Sequence, residues 1–297
     1  MFMGHLKNWL RKLCPNPLTQ KLKSLHEEAR ILFFWNRGLG DIPLELFALK
    51  KKILEQCPRA TLEVITREDL KEGFLLLGHL KVHTTPLLTR NKKESFAEIY
   101  RSLGLDPTHY DLILTTPDPT YWLKEQKGKL VPKLQWSSDF EKFSPLAAEN
   151  KMLAFLHLDS ETVYGFEKNL PESTWEKLIA YIKDKGYTTI ALGAKEDHRF
   201  AGCDIDLRGK TSLFDFLSLM IGTKNIFIGP DSGLLNMLYF LDIDQPLYLI
   251  SYWANTDVGI FKQNVASPNP HLTHHPIIAP NRQLSQLQLE DFSVWIP

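Results

Sequence analysis

Two aspartates, each at the end of an apolar run, carry residue types and spacing that suit chemistry. Asp41 closes Asn36-Arg37-Gly38-Leu39-Gly40-Asp41, after the apolar run 31–35. Asp231 stands in Gly229-Pro230-Asp231-Ser232-Gly233, after the run 226–228. Each run reads as a buried strand ending in a glycine-containing turn that opens a helix. In an open α/β sheet such turns lie at the carboxyl ends of strands, where ligands bind. The helix start there offers free N–H groups and a partial positive charge to an anion. A phosphate cradle needs no carboxylate for charge, so the aspartates call for another role. Asp41 can take a proton as a general base, or it can cap the helix. Asp231 can bind a sugar hydroxyl, or it can tie its own turn together.

The surrounding residues suit a diphosphate. Ser232 and the N–H groups of Gly233 and Leu234 can hold one. Gly38 and Gly40 give the first turn unusual backbone freedom and close approach to a ligand. The full dinucleotide fingerprint is absent, because no glycine stands at its third position, and no Walker lysine follows either. Lys168, ahead of Leu170-Pro171 and a helix, is either a phosphate partner or a solvated lysine. Glu196, in the loop after 188–192, is either a ligand for sugar hydroxyls or a loop carboxylate. His271, His274 and His275 look metal-like but have no cysteine or acid at ligand spacing, so no metal site is expected.

These residues need strands to carry them. Apolar runs and periodicity predict strands at 30–35, 61–66, 80–84, 111–116, 152–158, 188–192, 225–229 and 246–250. Helices are expected at 41–56, 92–103, 172–185, 212–221, 234–241 and 284–295. Strands alternating with helices favour parallel sheets. The stretch 117–150, with Pro117, Pro119, Pro132 and Pro145, is expected to be irregular and to end in a linker. The proline-rich stretch 262–283 is expected to be a loop.

The bulk numbers set bounds. The 297 residues suffice for two domains, and 43% hydrophobic with 24% charged residues is usual for a globular protein. The 35 basic and 35 acidic side chains balance, which gives no support to a nucleic-acid partner. Cys14, Cys57 and Cys203 form no CxxC pair, as suits a reducing cytoplasm. No apolar stretch is long enough to span a bilayer, and the start lacks the apolar core of a signal peptide. Residues 1–25 hold Lys7, Arg11, Lys12, Lys21 and Lys23 and no acid, while Leu6, Trp9, Leu10 and Leu13 share a helix face. Such a segment suits either an anionic membrane surface or packing on the protein body.

Together the motifs resemble the heptosyltransferases of glycosyltransferase family nine, which build the lipopolysaccharide inner core. Asn36 to Asp41, with Cys57-Pro58 beyond, is similar to the family's Arg-x-Gly-x-x-Gly-Asp strand–turn–helix but one residue shorter. Asp231-Ser232-Gly233-Leu234-Leu235 matches its Asp-Ser/Thr-Gly-x-x-His motif, with Asn236 in the histidine's place. Lys168 to Pro171, Gly193 to Glu196, and Gly209 to Leu213 look like the elements between.

The resemblance implies an α/β fold of two facing Rossmann-like domains, GT-B type, with a cleft between them. Its expected boundaries are a basic extension 1–28, an acceptor domain 29–145, a nucleotide-sugar domain 150–283 and a last helix 284–297. It implies an ADP-heptose donor, a glycan or lipid-linked acceptor, no metal, no cofactor, and a place in the cytoplasm or on the inner face of the inner membrane. Asp41 would be the base, with Arg37, Gly38, Gly40, Lys168, Glu196, Asp231, Ser232, Gly233, Leu234 and Asn236 binding substrates. Two alternatives remain: a degenerate member that binds a sugar nucleotide or glycan without turnover, and a Rossmann-type dehydrogenase.

Overall fold

The computed structural model describes residues 17–90, 95–142, 152–160, 167–193 and 202–297. Glu196, most of the basic N-terminal segment and the expected linker at 145–150 lie outside these residues. The chain divides into two compact units. One comprises Met1–Arg37, Ala48–Lys71 and His79–Asp118; the other comprises Gly38–Phe47, Glu72–Gly78 and Pro119–Pro297.

The first unit is built on a parallel four-stranded sheet of β1 (Arg30–Trp35), β2 (Thr61–Thr66), β3 (Lys81–Thr84) and β4 (Leu112–Leu114), in the order β3-β2-β1-β4. Parallel strands buried on both faces read as continuous apolar runs, and five of the six residues of β1 and of β2 are buried. Leu32, Phe34 and Ile65 pack with Ile99 of the helix Phe96–Leu103. That helix stops at Gly104, whose φ of 64° forms a left-handed cap. Buried Glu63 of β2 is matched by Arg30, His83 and Tyr110.

The second unit carries a two-stranded sheet of β5 (Leu134–Gln135) and β10 (Leu241–Asp242). Its main sheet holds β6 (Leu153–His157), β7 (Thr188–Leu192), β8 (Ile205–Asp206), β9 (Ile226–Pro230), β11 (Leu247–Trp253) and β12 (Leu272–Ile278). The order is β12-β11-β9-β6-β7-β8, and every pairing is parallel. The helix Glu172–Asp184 turns Trp175, Leu178, Ile179 and Ile182 into the core, the spacing of one helix face.

The structure corrects several expectations. The stretch 117–150 holds the helix Pro119–Gln126, β5 and a 3-10 turn at Ser138–Phe140. Pro119 starts that helix instead of breaking it, since a first-turn proline gives up no helical hydrogen bond. The expected loop 262–283 contains β12, an edge strand that tolerates Pro276 because an edge needs no outward donor. The expected last helix is a 3-10 turn, Leu284–Gln286, followed by the short helix Leu289–Ser293. A capping box between Gln288 and Asp291 restarts the helix there. The helix after Asp41 begins as a π-helix over Ile42–Leu46 before becoming α-helical at Phe47–Gln56. Among the described residues, no helix is long and apolar enough to cross a membrane.

Candidate active site

The carboxyl ends of β6 and β9 deliver His157 and the turn Asp231-Ser232 side by side. Ser232 caps the helix Gly233–Tyr239, its Oγ accepting from the Leu235 N–H at 3.3 Å. Nδ1 of His157 lies 3.1 Å from the same Oγ. Burial holds the His157 imidazole down at about 4, and nearby Lys168 adds to the effect, so the ring is neutral near pH 7. The arrangement that satisfies both groups has the Ser232 hydroxyl donating to Nδ1. His157 interrupts the apolar run 153–158, which is the only signal of it in the sequence.

Lys168 and Asp231 form one unit of charge. Lys168 Nζ donates to Asp231 Oδ2 and to its carbonyl oxygen, both at 3.2 Å. Asp231 is buried, which pushes its carboxyl upward, and the Lys168 ammonium partly offsets this. Gly259, at φ +52°, packs against Asp231 and Trp253 so closely that a Cβ there would collide with the carboxylate. Gly233 and Leu234 are partly exposed beside this pair.

The turn of Asp41 belongs to the same unit. Gly38 N–H donates to Asp41 Oδ2 at 3.0 Å, and Asp41 N–H donates to the Gly38 carbonyl at 3.2 Å. Asp41 has helical angles and makes no side-chain cap bond, so simple N-capping does not explain it. Gly40 is needed for close approach, not for a left-handed backbone. A Cβ on Gly40 would lie 3.4 Å from Gly233 Cα, and one on Gly233 would lie 2.9 Å from Leu39 Cβ. The two turns therefore pack backbone to backbone. Asn236 is buried between them, and its Oδ1 has no hydrogen-bond partner among the described residues.

Other candidate residues fall elsewhere. Arg37 belongs to the first unit, where its carbonyl accepts from Arg67 Nη1 at 3.1 Å. Glu196 lies outside the described residues. Ser212 caps its helix in a capping box with Asp215. The three histidines are used separately. His271 pairs with Asp244, His274 with Ser251 Oγ, and His275 stacks on Trp295. Among the described residues, no group of three side chains is placed to hold a metal.

This geometry can be set beside known proteins. The model of glycosyltransferase family 9 (heptosyltransferase) matches residues 119–237, a span that includes Lys168, Asp231, Ser232 and Asn236. The match covers 119 of the 297 residues, and over that span the chain is similar to the family. No curated protein sequence matches the chain.

Solved structures carry the same fold. E. coli ADP-heptose lps heptosyltransferase II superimposes with a TM-score of 0.61 at 13% identity, covering 90% of this chain and 98% of that one. The glycosyl transferase family 9 from Veillonella parvula DSM 2008 does so with a TM-score of 0.60 at 13% identity, covering 92% and 97%. E. coli heptosyltransferase WaaC with ADP-2-deoxy-2-fluoro heptose gives 0.51 at 14% identity, covering 90% and 98%. At these identities the likeness establishes the fold, an α/β arrangement of parallel sheets similar to the GT-B heptosyltransferases. In this chain a carboxylate, an ammonium and two partly exposed residues at a helix start, Gly233 and Leu234, belong to one compact unit.

Proposed function

We propose that the chain is a glycosyltransferase that moves a sugar, heptose from ADP-heptose, to a glycan or lipopolysaccharide-core acceptor. The supporting observation is the packing of the Asp41 turn against the Gly233 turn, which brings a base candidate to the donor-site motif. Asp41 takes the proton of the acceptor hydroxyl as that oxygen attacks the anomeric carbon. The bond from that carbon to the diphosphate breaks, and ADP leaves with the electron pair. Two of the three N–H donors of Lys168 are engaged by Asp231, and the third can meet the departing diphosphate. The Gly233 and Leu234 amides serve the same charge. No metal enters this reading.

The proposal includes the GT-B arrangement of facing domains that the resemblance implies, with Arg37, Gly38, Gly40 and Glu196 among the substrate contacts. It also includes association of the basic N-terminal segment with the anionic inner face of the inner membrane. The likeness to an ADP-heptose lps heptosyltransferase and to WaaC with ADP-2-deoxy-2-fluoro heptose supports the choice of ADP-heptose.

A second reading, binding without turnover, is favoured by Asn236 in the histidine's place. An amide hydrogen-bonds but carries no charge. Titration with ADP-heptose, ADP and a nicotinamide cofactor, followed by a transfer assay with a lipopolysaccharide-core acceptor, separates the readings. Binding with transfer supports the proposal; binding alone supports the degenerate member; affinity only for the nicotinamide cofactor overturns both.

A further inference from the structure

Two glutamines distant in sequence meet on the segment that follows Asp41. Gln126 ends the helix Pro119–Gln126 and Gln263 ends the helix Gly259–Gln263; both are fully buried. Gln126 Nε2 donates to the Pro43 carbonyl at 2.7 Å and to Gln263 Oε1 at 3.2 Å. Gln263 Nε2 donates to the Leu44 carbonyl at 2.9 Å. The Gln263 backbone carbonyl accepts from Gly128 N–H at 2.7 Å, which links the two helix ends. The side chains thus reach consecutive carbonyls of one helical turn and also bond each other.

That turn is the π-helix Ile42–Leu46. A π-turn is a rare, widened form of helix that recurs at functional sites. It also sets the rotation of what precedes it: relaxing it to an α-turn would rotate Asp41 about the helix axis relative to Phe47. An apolar side chain could fill the space of either glutamine. It could not donate to carbonyls in a dry interior, where unmatched polar groups are costly. The amides therefore do something that packing alone would not require.

We propose that Gln126 and Gln263 are positioning residues for the reaction: they lock the π-turn and so fix the Asp41 carboxylate at the Gly233 turn. This rests on the reading of Asp41 as the base. The pair acts through the backbone and touches no substrate.

The test replaces both amides by near-isosteric apolar side chains, Gln126→Met with Gln263→Met, in the full chain. Misplacing a catalytic group by about 1 Å costs about 100-fold in rate. The expected result is a kcat lower by about that factor, with ADP-heptose affinity within threefold of the parent and an altered acidic limb of the kcat profile. Phe292→Leu, a core change in the same unit, serves as the control: it lowers thermal stability and keeps the parent kcat. A paired variant that loses stability yet keeps the parent kcat and pH profile overturns the proposal. Should that variant not fold, the single Gln263→Met, which keeps the bond from Gln126 to Pro43, is read by the same criteria. Asp41→Asn is measured alongside. If it keeps the parent kcat, the base reading falls and the inference falls with it. If it is inactive while the glutamine variants are unimpaired, the inference alone falls.

Discussion

A Cβ placed on Gly40 would lie 2.5 Å from Nδ2 of Asn236. The glycine of one motif and the amide of the other are thus matched in size. Gly40→Ala should destabilise by about 2 kcal/mol, the usual cost of overpacking. Asn236→Ala should relieve it, so denaturant unfolding of the two single variants and the double should give a coupling of about 1 kcal/mol or more. Strict additivity would show that the contact does not limit the packing of the turns.

Asp41→Asn keeps an oxygen able to accept from Gly38 N–H, so the turn should survive. Loss of a general base should lower kcat by about 10²–10⁴-fold with sugar-nucleotide affinity nearly unchanged. The acidic limb of the pH–rate profile should vanish with it. An active Asp41→Asn enzyme would end the assignment.

Lys168→Met strands a buried carboxylate. Removing one partner of a buried pair costs about 3 kcal/mol, and donor affinity should fall at least about tenfold, the scale of a charge-assisted contact. The folded-state pKa of Asp231 is already raised by burial. For a raised carboxyl the folded state binds the extra proton, so stability falls as pH rises from the unfolded value through the folded one. Losing Lys168 raises the folded value further, so the deficit at pH 7 should shrink on acidification. Equal nucleotide affinity would remove Lys168 from the donor site; a pH-independent deficit would mean that charge is not the cause.

His157 titrates in the opposite sense. Its folded value of about 4 lies below the ordinary imidazole value of 6.5. The unfolded chain binds more protons in that window, so stability falls as pH drops from 6.5 towards 4, by about 3 kcal/mol for a shift of this size. His157→Gln, which stays neutral and keeps a partner for Ser232, should remove this slope. His274, also held at about 4 by burial, contributes a comparable slope of its own. With His275 lowered by burial as well, the variant should keep part of the parent's acid sensitivity in urea unfolding across pH 4–7. An unchanged slope would show that His157 does not titrate on unfolding.

The sequence made the sheets readable where burial is continuous. β1, β2, β6 and β9 are apolar runs, and Glu172–Asp184 shows a clear helical face. β12 was hidden because His274, His275 and Pro276 interrupt its pattern, and only its place at the sheet edge makes that tolerable. Asp41 and Asp231 stood out through residue type and neighbouring glycines, and Lys168 through its place ahead of Leu170-Pro171 and a helix. That Lys168 pairs with Asp231 could not be read, since the contact depends on how β6 and β9 pair. Gln126 and Gln263 gave no signal, because the need for an amide arises only from the carbonyls of Pro43 and Leu44.

The way the chain weaves between its units has a consequence for synthesis. Residues 38–47 belong to the second unit, although the rest of that unit, apart from 72–78, begins at Pro119. On the ribosome, the first sheet can form once 118 residues have emerged. The Asp41 segment must then wait, its apolar side exposed, until the Gly233 helix is made. A fragment starting at Pro119 would carry the whole span that matches family 9 and none of Leu39, Gly40 or Asp41. Such a fragment should emerge sticky and incomplete, and residues 30–118 alone would expose the segments meant for the other unit. Vectorial folding of this protein therefore ends with the second half of the chain capturing a piece of the first.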